Sequence, residues 1–201
     1  IGNAYFNLDE ISKAIEAYEQ HLQIACELDD LTSQVSALGN LGNACSQQRE
    51  FNRALEYLEQ ALVIARQIGN YHLEGNTLGS LANIYLEMGR AGKAIELYEQ
   101  TLIMARGLGI RRNEAFALGN IGNAYVKLGE MRYATEFYKQ AIALLREIGD
   151  RRTEASLLFN LSLVFDKLGE QSQALINVQS ALKILDELGD PLASKIRDQI
   201  V

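Results

Sequence analysis

A 40-residue period constrains this chain more than any other feature. Leu38-Gly39-Asn40-Leu41-Gly42-Asn43 returns as Leu78-Gly79-Ser80-Leu81-Ala82-Asn83, and again as Leu118-Gly119-Asn120-Ile121-Gly122-Asn123. A fourth copy reads Leu158-Phe159-Asn160-Leu161-Ser162-Leu163. Ile1-Gly2-Asn3 opens the chain in the same phase, and five periods account for 200 of its 201 residues without a gap. A sequence repeating at this interval builds its core between neighbouring copies of one small unit, so length alone does not count its domains. The expectation is a single array over 1–201, with periods 1–40, 41–80, 81–120, 121–160 and 161–200. Partial helices are expected at both ends, since Ile1 looks like a cut inside an element.

Each period reads as two helices. Over 131–148, Ala134, Phe137, Tyr138, Ala141, Ile142, Leu145 and Ile148 follow the i, i+3, i+4, i+7 spacing of a buried stripe. Glu136, Lys139, Gln140 and Arg146 fall off it, toward water. Gly149 suits a left-handed stop, repeated at Gly69, Gly109 and Gly189. Asp150, Asn70 and Asp190 then offer N-caps, and Pro191 stands where a missing N–H costs nothing. The partner helix runs from 151 to about 168 and breaks at Gly169. Turns this short between helices of this length force antiparallel hairpins.

Small residues hold fixed places in the period. Gly2, Gly42, Ala82, Gly122 and Ser162 form one column, and Ala14, Ala54, Ala94, Ala134 and Ala174 another. Such columns let two helix axes approach closely. Tyr5, Cys45, Tyr85, Tyr125 and Phe165 form a larger column that fills the remaining space. The predicted fold class is therefore all-α: an α-solenoid of stacked antiparallel hairpins.

These columns resemble the tetratricopeptide repeat (TPR) family. One copy of its pattern reads Leu118, Ile121-Gly122, Tyr125, Gly129, Ala134, Tyr138 and Ala141, and the resemblance covers the whole chain. It implies a right-handed superhelix with a concave groove. The family's usual repeat has roughly 34 residues and ends its second helix with proline. Cys26, Arg66, Arg106, Arg146 and Asp186 hold that place here, which lets the second helix run on. The longer spacing and the Leu-Gly-Asn phrase are most similar to the LGN/Pins adaptors and to arrays in bacterial TPR regulators, and kinesin light chains have related long repeats.

A stacked array leaves a groove lined mainly by the first helix of each pair. Arg112, Phe116, Asn120 and Asn123 lie at i, i+4, i+8 and i+11, a single helical face. The same places hold Thr32, Ser36, Asn40 and Asn43; His72, Asn76, Ser80 and Asn83; and Arg152, Ser156, Asn160 and Leu163, with Asn3 in the first partial helix. A carboxamide carries both a donor and an acceptor, so it pairs with both groups of a peptide bond. Repeated at about 10 Å, the packing distance of helices, such side chains hold an extended chain without reading its sequence. The resemblance implies the same use. Asn40, Asn43, Asn76, Asn83, Asn120, Asn123 and Asn160 are the candidate backbone contacts, with capping or bonding inside the stack as the alternative. Arg112 and Arg152 are the candidate contacts to an acidic side chain, and Phe116 to an apolar one. Pairing of the arginine doublets with Glu114 and Glu154 is the competing expectation. Phe159 and Leu163 either pocket an apolar anchor or, by slight preference, pack beneath 191–201.

Composition narrows the function classes. The formal charge is −7, and residues 1–80 carry 4 Lys or Arg against 11 Asp or Glu while residues 81–160 carry 11 against 9. That balance suits neither nucleic-acid phosphates nor an anionic membrane over a broad face. No apolar run approaches the roughly 20 residues that cross a bilayer. Cys26 and Cys45 have apolar neighbours and are expected as buried thiols in a reducing, cytoplasmic setting. His21 stands where other repeats place Ala61 or Ala141, so it is expected in a helix interface rather than in a catalytic or metal cluster. No enzyme, cofactor or metal is expected. The expected partner is a protein or peptide with an extended acidic segment. A sensor part of a larger signalling or transcription regulator, and an end-to-end self-associating spacer, are the other readings.

Overall fold

The computed structural model describes residues 1–200; Val201, which follows the fifth period, lies outside the described residues. The helices are α1 (Gly2–Asn7), α2 (Ile11–Glu27), α3 (Leu31–Gln47), α4 (Phe51–Gln67), α5 (Tyr71–Glu87), α6 (Ala91–Gly107), α7 (Arg111–Leu128), α8 (Met131–Ile148), α9 (Arg151–Lys167), α10 (Gln171–Glu187) and α11 (Leu192–Ile200). No strand occurs among the described residues. The fold class is the expected one, an all-α solenoid of antiparallel hairpins. The chain forms two compact units, Ile1–Met104 and Ala105–Val201. In the first, α1 packs on α2, α3 on α2, α4 and α5, and α4 on α5. In the second, α7 packs on α8, α8 on α9, α9 on α10, and α10 on α11.

The turns recur every twenty residues, one between each helix and the next. Asp9, Asp29 and Arg49 take φ of 61°, 51° and 62°, and Gly69, Gly89, Gly109, Gly129, Gly149, Gly169 and Gly189 take 63–80°. A backbone bond closes each turn across the left-handed residue, as from Asp30 N–H to Ala25 O (2.9 Å) and from Asp150 N–H to Leu145 O (3.0 Å). The caps follow. Asp30, Asn70 and Asp150 accept from the N–H groups of Ser33, Leu73 and Thr153 at 3.1–3.2 Å, satisfying donors that a helix start leaves open. Asp190 accepts instead from Leu192, so Pro191 sits just ahead of α11 rather than inside it.

The small-residue columns are close-packed in the first four copies, while Ala174 in the fifth is only half-buried. Ala14, Ala54, Ala94 and Ala134 are fully buried. A Cβ placed on Gly42 would lie 2.6 Å from Leu58 Cγ, and one on Gly122 would lie 2.7 Å from the Tyr138 ring. A side chain at Gly42 or Gly122 would therefore force its neighbour to shift, whereas at the same place of the third copy Ala82 is accommodated, fully buried. Lower in the same hairpin, Val35 and Leu38 of α3 close on Ala61 and Ala65 of α4.

Three further expectations fail. His21 is exposed rather than interfacial. Its counterpart Ala61 is covered by the first half of α3, whereas α1 offers six residues against the seventeen of α2. Cys26 is exposed while Cys45 is buried, because Cys26 takes the column from which Arg66, Arg106 and Arg146 reach outward. Leu163 is 48% exposed, so α11 does not cover it.

Candidate functional site

In the first unit the predicted asparagines converge. Asn40, Asn43 and Asn76 line one open cleft of ≈ 220 Å³ together with Ser36, Thr77 and Ser80, between α3 and α5. A second cleft of ≈ 260 Å³ is lined by Asn3, Phe6, Asn7, Tyr18, Asn40 and Asn43. Asn40 and Asn43 line both, so the two clefts adjoin in one trough of mixed lining, with Val35, Leu58, Leu73 and Phe6 beside the carboxamides. Helical spacing explains the convergence, since i, i+4, i+8 and i+11 share a face and successive first helices present the same face. Part of the lining is already satisfied: Ser36 Oγ donates to Thr32 O (3.0 Å) and Thr77 Oγ1 to Leu73 O (2.8 Å). The carboxamides of Asn40, Asn43 and Asn76 make no hydrogen bond within their own unit among the described residues.

The third asparagine column is different. Tyr18 donates its hydroxyl to Asn3 Oδ1 at 2.8 Å, Tyr98 to Asn83 Oδ1 at 2.5 Å and Tyr138 to Asn123 Oδ1 at 2.6 Å. Each bond ties a first helix to the second helix of its own hairpin, fifteen residues on. Burial pushes the Tyr138 hydroxyl up to about 12 and raises the Tyr98 hydroxyl too, so both stay protonated donors. Asn83 and Asn123 are thus bonded within the stack through their oxygens, while their N–H2 groups make no hydrogen bond within their own unit among the described residues. For Asn83 and Asn123 the alternative expectation, bonding inside the stack, is what the geometry shows.

In the second unit Arg112, Phe116, Asn120 and Asn123 lie along α7, and Arg152 and Asn160 along α9. Asn120, Asn123 and Asn160 are half-buried. The Arg112 guanidinium sits 5.3 Å from the centre of the Phe116 ring, which is 38% exposed. Both arginines already hold a carboxylate one repeat on: Arg112 reaches Asp150 Oδ2 at 3.3 Å and Arg152 reaches Asp190 Oδ2 at 2.7 Å. Those carboxylates are also helix caps. The side chains of Arg112 and Arg152 are nonetheless 65% and 74% exposed, so their charges stay accessible.

The neighbouring arginines are committed elsewhere, as the competing expectation held. Glu114 takes Arg106 Nε at 2.8 Å and Arg111 Nη1 at 3.2 Å, and Glu154 takes Arg146 Nε at 2.6 Å and Arg151 Nη1 at 2.8 Å. Arg66 and Glu74 make the same contact at 2.7 Å. The Arg106 guanidinium, then burial opposing it, then Arg111 set the Glu114 carboxyl, whose net shift is below the ordinary range. In place of the proline of shorter repeats, Arg66, Arg106 and Arg146 clasp the last turns of α4, α6 and α8 to the first helix that follows.

Two sets of residues escaped the sequence. The Tyr18, Tyr98 and Tyr138 partners had a signal, because Asn recurs with Tyr fifteen residues on, and Leu163 and Val178 stand where both are lost. The Asp150 and Asp190 partners of the arginines had none beyond their capping role.

The sequence model of the family described as Tetratricopeptide repeat matches residues 1–67, 33–107, 73–147 and 113–187. No curated protein matches the chain. Among solved structures, a Rap protein complexed with competence and sporulation factor is 21% identical with a TM-score of 0.85, over 98% of this chain and 55% of that one. A kinesin light chain with TPR-like repeats from Podosopora anserina is 19% identical with a TM-score of 0.76, over 94% of this chain and 92% of that one. A signal transduction ATPase with a tetratricopeptide repeat sensor, from Pyrococcus horikoshii, is 20% identical with a TM-score of 0.74, over 98% and 35%. At these identities the likeness is one of fold, and the chain spans about half of the Rap protein.

Proposed function

Because the chain belongs to the tetratricopeptide repeat family, we propose that it is a non-catalytic interaction module whose first-helix face holds an extended peptide segment. The observation that carries this reading is the trough in the first unit, where Asn40 and Asn43 are shared by two clefts and have no competing hydrogen bond within that unit. The backbone of the ligand meets Asn40, Asn43, Asn76, Asn83, Asn120, Asn123 and Asn160, and an apolar side chain meets Phe116. An acidic side chain of the partner takes Arg112 or Arg152 over from Asp150 or Asp190, exchanging one carboxylate for another. We also propose that residues 1–201 act as a single array, and that the Leu-Gly-Asn phrases serve an adaptor role in the cytoplasm.

A second reading, the sensor part of a longer regulator, is favoured by the Rap complex and by the ATPase with a repeat sensor. A third, self-association through the array ends, is favoured by Leu175 and Ile176 of α10, which are 55% and 56% exposed where their counterparts Ile15 and Thr135 are the buried ones at the first of these places.

The test uses peptides selected from a displayed random library against the wild-type chain. Asn40→Ala with Asn43→Ala should weaken the enriched peptides about tenfold at low and high salt alike, since neutral hydrogen bonds are little screened. Arg112→Ala with Arg152→Ala should weaken them at low salt only, as exposed ion pairs fade when the Debye length falls below about 10 Å. Unchanged affinity in both variants, with helicity intact, overturns the groove reading.

A further inference from the structure

We propose that Tyr18, Tyr98 and Tyr138 are positioning residues that give the groove a chemical polarity. Each hydroxyl holds an asparagine oxygen inward, so Asn3, Asn83 and Asn123 present N–H2 donors only and select the carbonyl or carboxylate oxygens of a peptide. The proposal rests on the peptide-groove reading and adds to it which half of each peptide bond is recognised, and where.

Three observations converge. The bond recurs in the same register in three hairpins, at 2.8, 2.5 and 2.6 Å. The residue before the asparagine makes room for the ring: a Cβ would stand 2.5 Å from the Tyr18 ring at Gly2 and 2.7 Å from the Tyr138 ring at Gly122. Lying against bare backbone, the ring carries its hydroxyl to the next residue along the helix. Tyr98 achieves the same reach past Ala82, which is fully buried. The third observation is internal to the repeats. The fifth copy loses both partners together, with Leu163 and Val178 in their places.

A carboxamide left alone turns about its last torsion and offers either end to a ligand. A tyrosine hydroxyl can donate one proton, and a buried hydroxyl without a partner is costly. Donation to Oδ1 therefore pins the amide with its nitrogen outward. Because burial keeps these phenols protonated, the donor persists across the pH range in which carboxylates are charged. Asn43 lies opposite Leu58 and lacks this restraint, so it remains able to meet a peptide N–H or a C=O. The column is thus donor at three places and ambivalent at one.

The experiment has a ligand-free arm and a binding arm. In the 15N-labelled chain, the side-chain N–H2 order parameters of Asn83 and Asn123 should match the rigid backbone and exceed that of Asn43. Tyr98→Phe and Tyr138→Phe should lower each to the Asn43 level with the fold unchanged, and Leu58→Tyr should raise that of Asn43. In the binding arm, the probe is a library-selected peptide whose affinity depends on Asn123. Tyr138→Phe should weaken it about 3- to 10-fold in the wild-type background and not at all in the Asn123→Ala background. Equal mobility of Asn43 and Asn123 in the wild-type chain overturns the proposal. So does a Tyr138→Phe loss of the same size in both backgrounds, which marks a packing effect. If no selected peptide responds to Asn123→Ala, the groove reading fails at that column while the order parameters still decide whether the tyrosine pins the amide.

Discussion

The turn from α2 into α3 and the turn from α8 into α9 occupy the same place in the repeat and are built from different chemistry. At the first, Asp29 takes the left-handed conformation at φ 51°, Cys26 is exposed, and Gln34 Nε2 reaches Ala25 O at 3.3 Å. At the second, Gly149 takes φ 74°, and Arg146 and Arg151 close on Glu154, which is 1% exposed. The backbone bonds across the two turns are nevertheless the same. Turn geometry is therefore dictated by how helix ends satisfy their own carbonyls, while the side chains decide how tightly one hairpin is held to the next. The hairpins differ in a parallel way. Tyr18 presses on a six-residue helix and Tyr138 on an eighteen-residue one.

The largest effect expected from this difference is steric. Gly122→Leu, with no room beside the Tyr138 ring, should cost about 3 kcal/mol by overpacking in urea unfolding. Gly2→Leu should cost under about 1 kcal/mol, because the short α1 can lift away. Equal losses would show that α1 is held as firmly as α7. A middle-sized effect concerns the clasp. Glu154→Gln should cost about 2 kcal/mol, since two charge-assisted hydrogen bonds to a buried carboxylate weaken. Gln34→Glu, with no arginine at column 26, should change stability by less than about 0.5 kcal/mol. The equivalent Glu114 has its folded pKa lowered, so its contribution is complete above the unfolded value of about 4.3 and is lost as pH falls through the folded one. Stability curves of the wild type and Glu114→Gln should accordingly converge below about pH 4. The smallest effect is backbone strain. Gly149→Ala should lose about 1 kcal/mol, whereas Asp29→Gly should gain about 0.5 kcal/mol, both measurable as shifts in the melting temperature. A loss on Asp29→Gly would mean that the aspartate contributes more than its conformation costs.

What was legible in the sequence was whatever the period repeats. Gly149 as a stop, Asp150 as a cap and Gly122 as a close approach each belong to a column, and a column reports a shared environment. Asn40, Asn43 and Asn76 were legible for the same reason, since helical spacing and the 40-residue period together put them on matching faces of α3 and α5. His21 was misjudged because its column presumes a full hairpin partner that six residues cannot supply. The arginines were half legible. Arg151 pairs with Glu154 three residues away, which local spacing shows, but Arg152 pairs with Asp190 across a whole repeat. A contact 38 residues away is set by the docking of hairpins, and only coordinates reveal it.

The twenty-residue cadence of left-handed turns carries a consequence for how such a gene can be edited. Excising Asp30–Gly69 would join Asp29 to Asn70, a left-handed residue to a helix cap, which is the junction already present at both cuts. Every downstream side chain would keep its inner or outer station, and the protein would simply be one hairpin shorter. Excising Asp30–Arg49 would join Asp29 to Glu50 with equally smooth backbone, yet two second helices would then follow in succession. All later helices would trade places, turning asparagines toward the stack and alanines toward water. The chain thus admits growth and loss in steps of forty and forbids steps of twenty, although its turns alone make no distinction between them.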